Sequence, residues 1–346
     1  LSALHPRYEF AQKERCVPIL IEKLKKLCRD AKSYDMALTV DAEESERLEI
    51  SLDIIEAIVS DKEFQGWDGF GLAIQAYQKR CAPLIDKLAD MARTHNAHLQ
   101  VRLVKGAYWD TEIKHAQVEG LEGYPVYTRK VNSDLSYITC AQKMLNNGDV
   151  FYPMFATHNA HTIAAILDIA KDTNTDYEFQ RLHGMGDALY DTVIEQAGCP
   201  VRIYAPVGAH KDLLPYLVRR LLENGANSSF VHKLVDPRVP VETLTAHPVA
   251  TLQRHTVLAN PRIPLPPALY GEGRRNSRGI NMNVLCEWLP LKEQLDSWWN
   301  SRWSGAPLVN GKRLSGEVRP VLCPYQLSHQ VGDFAVPKRG INIGIL

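Results

Sequence analysis

The chain has 346 residues, 45% hydrophobic and 23% charged, a globular composition long enough for one large α/β domain and an appendage. Forty basic residues balance forty acidic ones, so the bulk cationic field on which non-specific nucleic-acid binding depends is missing and no nucleic-acid partner is expected for this segment. Seven scattered cysteines without a CxxC pair argue against a disulfide framework and a zinc site, and no apolar run approaches the roughly 20 residues of a membrane span, so a reducing cytoplasm with at most peripheral membrane contact is expected.

Taken in chain order, the opening Leu1-Ser2-Ala3-Leu4 reads as the end of a strand, and its first residues show no signal-peptide architecture. Short β-rich runs follow at Met36 to Val40, Gly69 to Gln75, His98 to Val104, Tyr152 to Ala156, Glu178 to Leu182 and Arg202 to Ala205. Helical periodicity separates them, most clearly over Glu44 to Ser60, Ala76 to His95 and Ala160 to Lys171. Alternation of this kind predicts an α/β fold with a parallel sheet, a (βα)8 TIM-type barrel incomplete at its N-terminus, with one strand and most of another expected upstream. A doubly wound open sheet would carry a GxGxxG turn after its first strand, and none occurs. Past Pro240 the texture turns Pro-rich, and Trp288, Trp298, Trp299 and Trp303 are expected on a packing or docking helix. The expected division is a barrel over 1–239, a C-terminal extension over 240–306 and a linker into a further domain over 307–346.

Polar residues gather where the runs end, which is where a barrel keeps its chemistry. Asp41 follows the first run, where it can pair with the Arg219–Arg220 couple or cap the next helix. Gln75 ends the second. Arg102 and Lys105, then Gly106, Tyr108 and Trp109, end the third: cations and a small residue suit a flavin, a phosphate or a plain surface pair equally well. Thr157, His158 and Asn159 end the fourth and suit either cofactor contact or a structural role. Gly184-Met185-Gly186 reads as a turn. Last comes a helix from Leu213 to Gly225, with Leu214, Leu217, Leu221 and Leu222 on one stripe and Tyr216, Arg219, Arg220 and Glu223 on the other. Two adjacent guanidiniums can clamp a carboxylate with forked hydrogen bonds; the alternative is a solvated face with an Arg219–Glu223 ion pair. No metal site is expected.

Five stretches carry a resemblance: Leu1 to Tyr8, Asp41 to Glu44, Arg102 to Asp110, Phe155 to Thr162 and Tyr216 to Asn227. In this order they closely resemble the proline dehydrogenase domain of bacterial bifunctional proline utilization A, up to about Gly279, and Pro307 to Lys312 and Glu317 to Pro320 look like the lead into that family's aldehyde dehydrogenase domain. The resemblance implies that Arg219 and Arg220 bind the carboxylate of L-proline and that Asp41, Leu103, Ala107, Tyr108 and Tyr204 shape the pocket, with Asp41 also pairing an arginine when the site closes. It further implies that Gln75, Arg102, Val104, Lys105, Gly106, Ala107, Trp109, Thr128, Arg129, Lys130, Thr157, His158, Asn159, Leu182 and Glu223 surround FAD. The family also has a lysine just before the position of Leu1. Also implied are hydride transfer from proline C5 to flavin N5 to give pyrroline-5-carboxylate, a membrane quinone as electron acceptor, NAD only for the second enzyme, and a homo-oligomer. Other readings of the same residues are a flavin barrel of the methylenetetrahydrofolate reductase type and a non-catalytic flavin redox sensor.

Overall fold

A computed structural model describes residues 1–225, 240, 242 and 245–337, without the side chains of Asp212, Arg219 and 221–225. It separates into two compact units, Leu1–Asn283 and Val284–Leu346. The first is built on six parallel strands, β1 (Leu38–Val40), β2 (Phe70–Gln75), β3 (Leu99–Val104), β4 (Phe151–Ala156), β5 (Glu178–Leu182) and β6 (Val201–Tyr204), paired in chain order. Helices α2 (Leu48–Val59), α3 (Cys81–Thr94), α4 (Trp109–Val118), α5 (Lys130–Leu145), α6 (Ala160–Ala170), α7 (Asp187–Ala197) and α8 (His210–Gly225) follow or link them, and α1 (Lys13–Ser33) precedes β1. The sheet curls into a half-barrel. Instead of a closed eight-stranded barrel there are six strands, with β1 and β6 as edges among the described residues.

Periodicity explains the layers. In α2, Ile50, Ile54, Ile55 and Ile58 are buried at helical spacing, and in α3 the same holds for Leu84, Ile85, Leu88 and Ala92. Every residue of β2 is buried, and β3 alternates, with Leu99, Val101 and Leu103 inside. Each such aliphatic or aromatic side chain contributes about 1.5–3 kcal/mol by leaving water. The β2–β3 approach needs Gly71, where a Cβ would stand 1.9 Å from the Gln100 carbonyl oxygen. Tyr137, fully buried on α5, ties the two central strands by donating to the Leu103 and Ala156 carbonyls at 2.9 and 3.1 Å.

Several expectations are corrected. Leu1 to Leu4 is not a strand end but holds a 3-10 turn at Ser2–Leu4. The helix expected over Ala76 to His95 begins only at Cys81, because the Ala76 and Tyr77 amides donate to the Val104 and Lys105 carbonyls and hold the chain extended beyond the strand. The segment Glu44 to Ser60 opens with a 3-10 turn, Ser45–Arg47, before α2. Helix α1, with Cys16, Leu20, Leu24 and Cys28 buried, went unread. On α8, Leu214 and Leu217 are exposed.

The second unit has a helix, Leu285–Trp299, carrying Trp288, Trp298 and Trp299, and the strands Trp303–Gly305, Leu308–Val309, Lys312–Arg313, Glu317–Cys323 and Gln326–Val336. Trp303 therefore lies on a strand rather than on the expected helix, and Trp299 stacks on His329 with ring centroids 3.8 Å apart.

Candidate active site

At the carboxyl ends of the six strands lies an open cleft, with about 1220 Å³ of empty space counting the solvent at its mouth. Fifteen of the side chains singled out in the sequence line it: Asp41 from the β1 end, Gln75 from β2, Arg102, Val104, Lys105, Gly106, Ala107 and Tyr108 from β3 and its loop, Lys130 at the start of α5, Thr157, His158 and Asn159 from β4, Leu182 from β5, Tyr204 from β6 and Arg220 from α8. Met185, Ala42, Ala156 and Tyr216 complete the lining. Met185 sits between Gly184 and Gly186, both at positive φ, so the loop after β5 turns its side chain back to the cleft. Its place at a strand end was the signal; reading the two glycines as a plain turn missed it.

Leu103 does not line the cleft. It is fully buried, because neighbours on a strand point to opposite faces and Arg102 and Val104 take the cleft face. Trp109 packs against Tyr77, Ile113 and Tyr124 and donates from Nε1 to the Tyr127 carbonyl at 2.8 Å. Thr128 accepts from the Asn260 amide at 2.9 Å, and Arg129 Nε donates to the Ala259 carbonyl at 3.1 Å, so both are engaged by the segment 257–260. The side chains of Arg219 and Glu223, and with them the expected ion pair, lie outside the described residues.

Asp41 caps no helix; neither the 3-10 turn nor α2 has a side-chain cap. Its carboxylate pairs with Arg102 Nη2, and the Arg102 guanidinium lies 5.8 Å from the Tyr204 ring centroid. Lys105 pairs with Asp134 on α5. Among the described lining residues, four cations (Arg102, Lys105, Lys130 and Arg220) face the single carboxylate Asp41, a field that attracts an anionic ligand. Asn159 is the N-cap of α6, its Oδ1 accepting from the Thr162 amide at 3.2 Å.

His158 Nε2 accepts from the Leu182 amide at 3.1 Å, so its proton sits on Nδ1. Burial first, then Arg220 and Arg181, push its pKa down to about 4. With the folded value below the unfolded one, near 6.5, acid protonates the unfolded chain first, and stability is lost as pH falls from about 6.5 to about 4. His158→Gln, which keeps an acceptor but does not titrate, is expected to flatten that part of the stability curve in denaturant titrations across pH 4 to 7. An unchanged slope would assign the loss to other groups.

An α/β half-barrel with a cationic cleft at its strand ends is the arrangement of a barrel-type enzyme, and its charge suits an anion. The family model described as proline dehydrogenase matches residues 3–233, and the chain belongs to that family. It is 48% identical over 345 residues to the bifunctional protein PutA of Escherichia coli, covering 96% of this chain and 26% of the relative, and 29% identical over 219 residues to proline dehydrogenase 2 of Bacillus subtilis, covering 62% and 63%. A crystallised proline utilization A mutant from Bradyrhizobium japonicum superposes with a TM-score of 0.84 at 50% identity, over 89% of this chain and 31% of that one. The protein from Bdellovibrio bacteriovorus inactivated by N-propargylglycine gives 0.85 at 28% identity, over 97% and 34%. The chain thus spans about a quarter to a third of the length of the PutA relatives it matches.

Proposed function

We propose that this chain oxidises L-proline to 1-pyrroline-5-carboxylate with FAD held in the cleft. The observation that carries the reading is the joint lining of one cleft by the cationic β3 end, the His158 strand end and Arg220 of α8, in a member of the proline dehydrogenase family. The residues fit a flavin dinucleotide. Arg102 lines the cleft and its Nε is buried with no hydrogen-bond partner among the described residues, a donor that an acceptor-rich ring would satisfy. The positive ends of α5 and α6 start at Lys130 and beside Asn159, which suits a pyrophosphate. FAD bound there would supply the two-electron acceptor that the oxidation of proline at C5 requires.

The protein's share is orientation and electrostatics. Arg220, together with Arg219 by analogy with the family, fixes the proline carboxylate. Tyr204 and Tyr108 wall the ring, and Asp41 holds Arg102 across the mouth. Arg102 and Lys105 favour the more electron-rich state of the cofactor. Neutral His158 offers its Nδ1 proton as a donor. We assign Gln75, Val104, Gly106, Ala107, Lys130, Thr157, Asn159 and Leu182 to cofactor contact, with Trp109, Thr128, Arg129 and Glu223 carried over from the family pattern. A membrane quinone is the final acceptor, reached by peripheral contact from the cytoplasm; no helix among the described residues is long and apolar enough to cross a membrane. The longer protein would add NAD-dependent oxidation of glutamate semialdehyde, as the word bifunctional in its relatives' names supports, and would work as a homo-oligomer.

L-Proline added anaerobically to the purified full-length protein is expected to bleach the visible flavin band within the dead time of manual mixing. A bound flavin indifferent to proline would favour a folate-type barrel or a sensor, and a protein without flavin would end the reading.

A further inference from the structure

Behind the cleft runs a chain of buried and half-buried hydrogen bonds in which Arg80 donates both ways, to the Ser45 carbonyl and to Gln78. Glu112 on α4, 3% exposed, accepts the Ser45 amide on one carboxylate oxygen and the Ser45 hydroxyl on the other, both at 2.6 Å. The Ser45 carbonyl in turn accepts from Arg80 Nη2, which fixes the guanidinium between the turn after β1 and the start of α3. Arg80 Nε donates to Gln78 Oε1 at 3.1 Å, and Gln78 Nε2 donates to Gln75 Oε1 at 2.6 Å. Gln75 and Gln78 are both 5% exposed, and of the two only Gln75 lines the cleft.

The polarity of the chain is set at Arg80. A guanidinium has donors and no acceptor, so Gln78 must turn its oxygen to Arg80, which leaves its amide nitrogen facing Gln75. Gln75 must then meet that nitrogen with its own oxygen. We propose that Arg80 and Gln78 are positioning residues that lock Gln75 with its amide N–H groups toward the cleft, so that it serves as a hydrogen-bond donor to an acceptor atom of the bound cofactor. This rests on the flavin reading above. A fixed donor at that place favours the cofactor state with more electron density on its ring oxygens and nitrogens, which is the reduced state, and makes Gln75 part of the setting of the flavin potential.

Reversing the polarity tests it. In Gln78→Glu both carboxylate oxygens are acceptors, so one still serves Arg80 while the other now accepts from Gln75, whose amide must rotate and turn its oxygen to the cleft. In the full-length protein, with far-ultraviolet circular dichroism confirming the fold, Q78E is expected to lower the affinity of reduced relative to oxidised FAD by about tenfold, which for a two-electron couple is about 30 mV in the measured potential. The same substitution in a Gln75→Leu background is expected to have no such effect, because the group that rotates is gone. A shift of equal size in that background would mean that the new charge acts directly and would overturn the proposal, as would an unchanged potential in Q78E alone. If Q78E does not fold, Gln78→Met removes the partner without adding charge; a fall of about threefold, the weight of one neutral hydrogen bond, is then expected, and no change overturns the assignment. A protein that binds no flavin overturns both readings, whereas one that bleaches with proline and shows no Q78E effect overturns only this one.

Discussion

Arg220→Ala is expected to raise KM for L-proline by about 30-fold or more while the bound flavin remains. Truncating one partner of a close, hydrogen-bonded charge pair costs about 2–5 kcal/mol, and about 1.4 kcal/mol is tenfold in an equilibrium constant. Arg220 lines the cleft from α8, with its guanidinium 5.2 Å from the Tyr216 ring centroid, so ring and backbone both limit where the fork can point. Arg220→Lys keeps the charge but loses the planar fork and is expected to fall between wild type and alanine. Steady-state kinetics that separate KM from kcat, with flavin content measured on each variant, check this. An unchanged KM would take α8 out of substrate binding and leave the carboxylate to Lys105 or Lys130.

Gly106→Ala is expected to cost on the order of 3 kcal/mol or more, as backbone strain and overpacking add. Gly106 has φ of +120°, outside the region that L-residues adopt with ease, and an added Cβ would stand 2.4 to 2.6 Å from the ring of Tyr77. Tyr77 cannot retreat: it is 3% exposed, its amide donates to the Lys105 carbonyl at 2.8 Å and its carbonyl accepts from the Tyr127 amide at 2.9 Å. The loop carrying Lys105, Ala107 and Tyr108 must therefore shift, and cofactor affinity is expected to fall with stability. Denaturant midpoints measure the first effect and flavin titration of the apoprotein the second. Adding Tyr77→Leu is expected to recover only the steric part, since the positive φ remains. A variant that unfolds at the wild-type midpoint would show that this backbone geometry is dispensable.

Much of the site was legible because the fold repeats one unit. Once period-two runs and helical runs alternate, the end of each run is a candidate cleft position, and Asp41, Gln75, Arg102 and Thr157, read from that rule, line one cleft. Local pattern failed where a residue's neighbour in space is remote in sequence. Leu103 and Arg102 are adjacent in the chain and face opposite sides of the sheet, and only the pairing of β3 with β2 and β4 shows which side is the cleft. The resemblance sets Thr128 and Arg129 beside the cofactor, yet their partners lie some 130 residues away in the segment 257–260. The delayed start of α3 follows from a backbone bond between the β2 and β3 loops, which no propensity encodes.

The sequence by itself determined the succession of βα units, the identity of the strand-end residues and the excess of cations they carry, because period and residue type are local properties. Tertiary structure alone decided which of those side chains share one cleft, which way Met185 turns, and that Arg80, Gln78 and Gln75 form a single directed chain of donors. Such a direction arises only when a group that can only donate is buried against groups that can do either, and burial is a property of the folded chain.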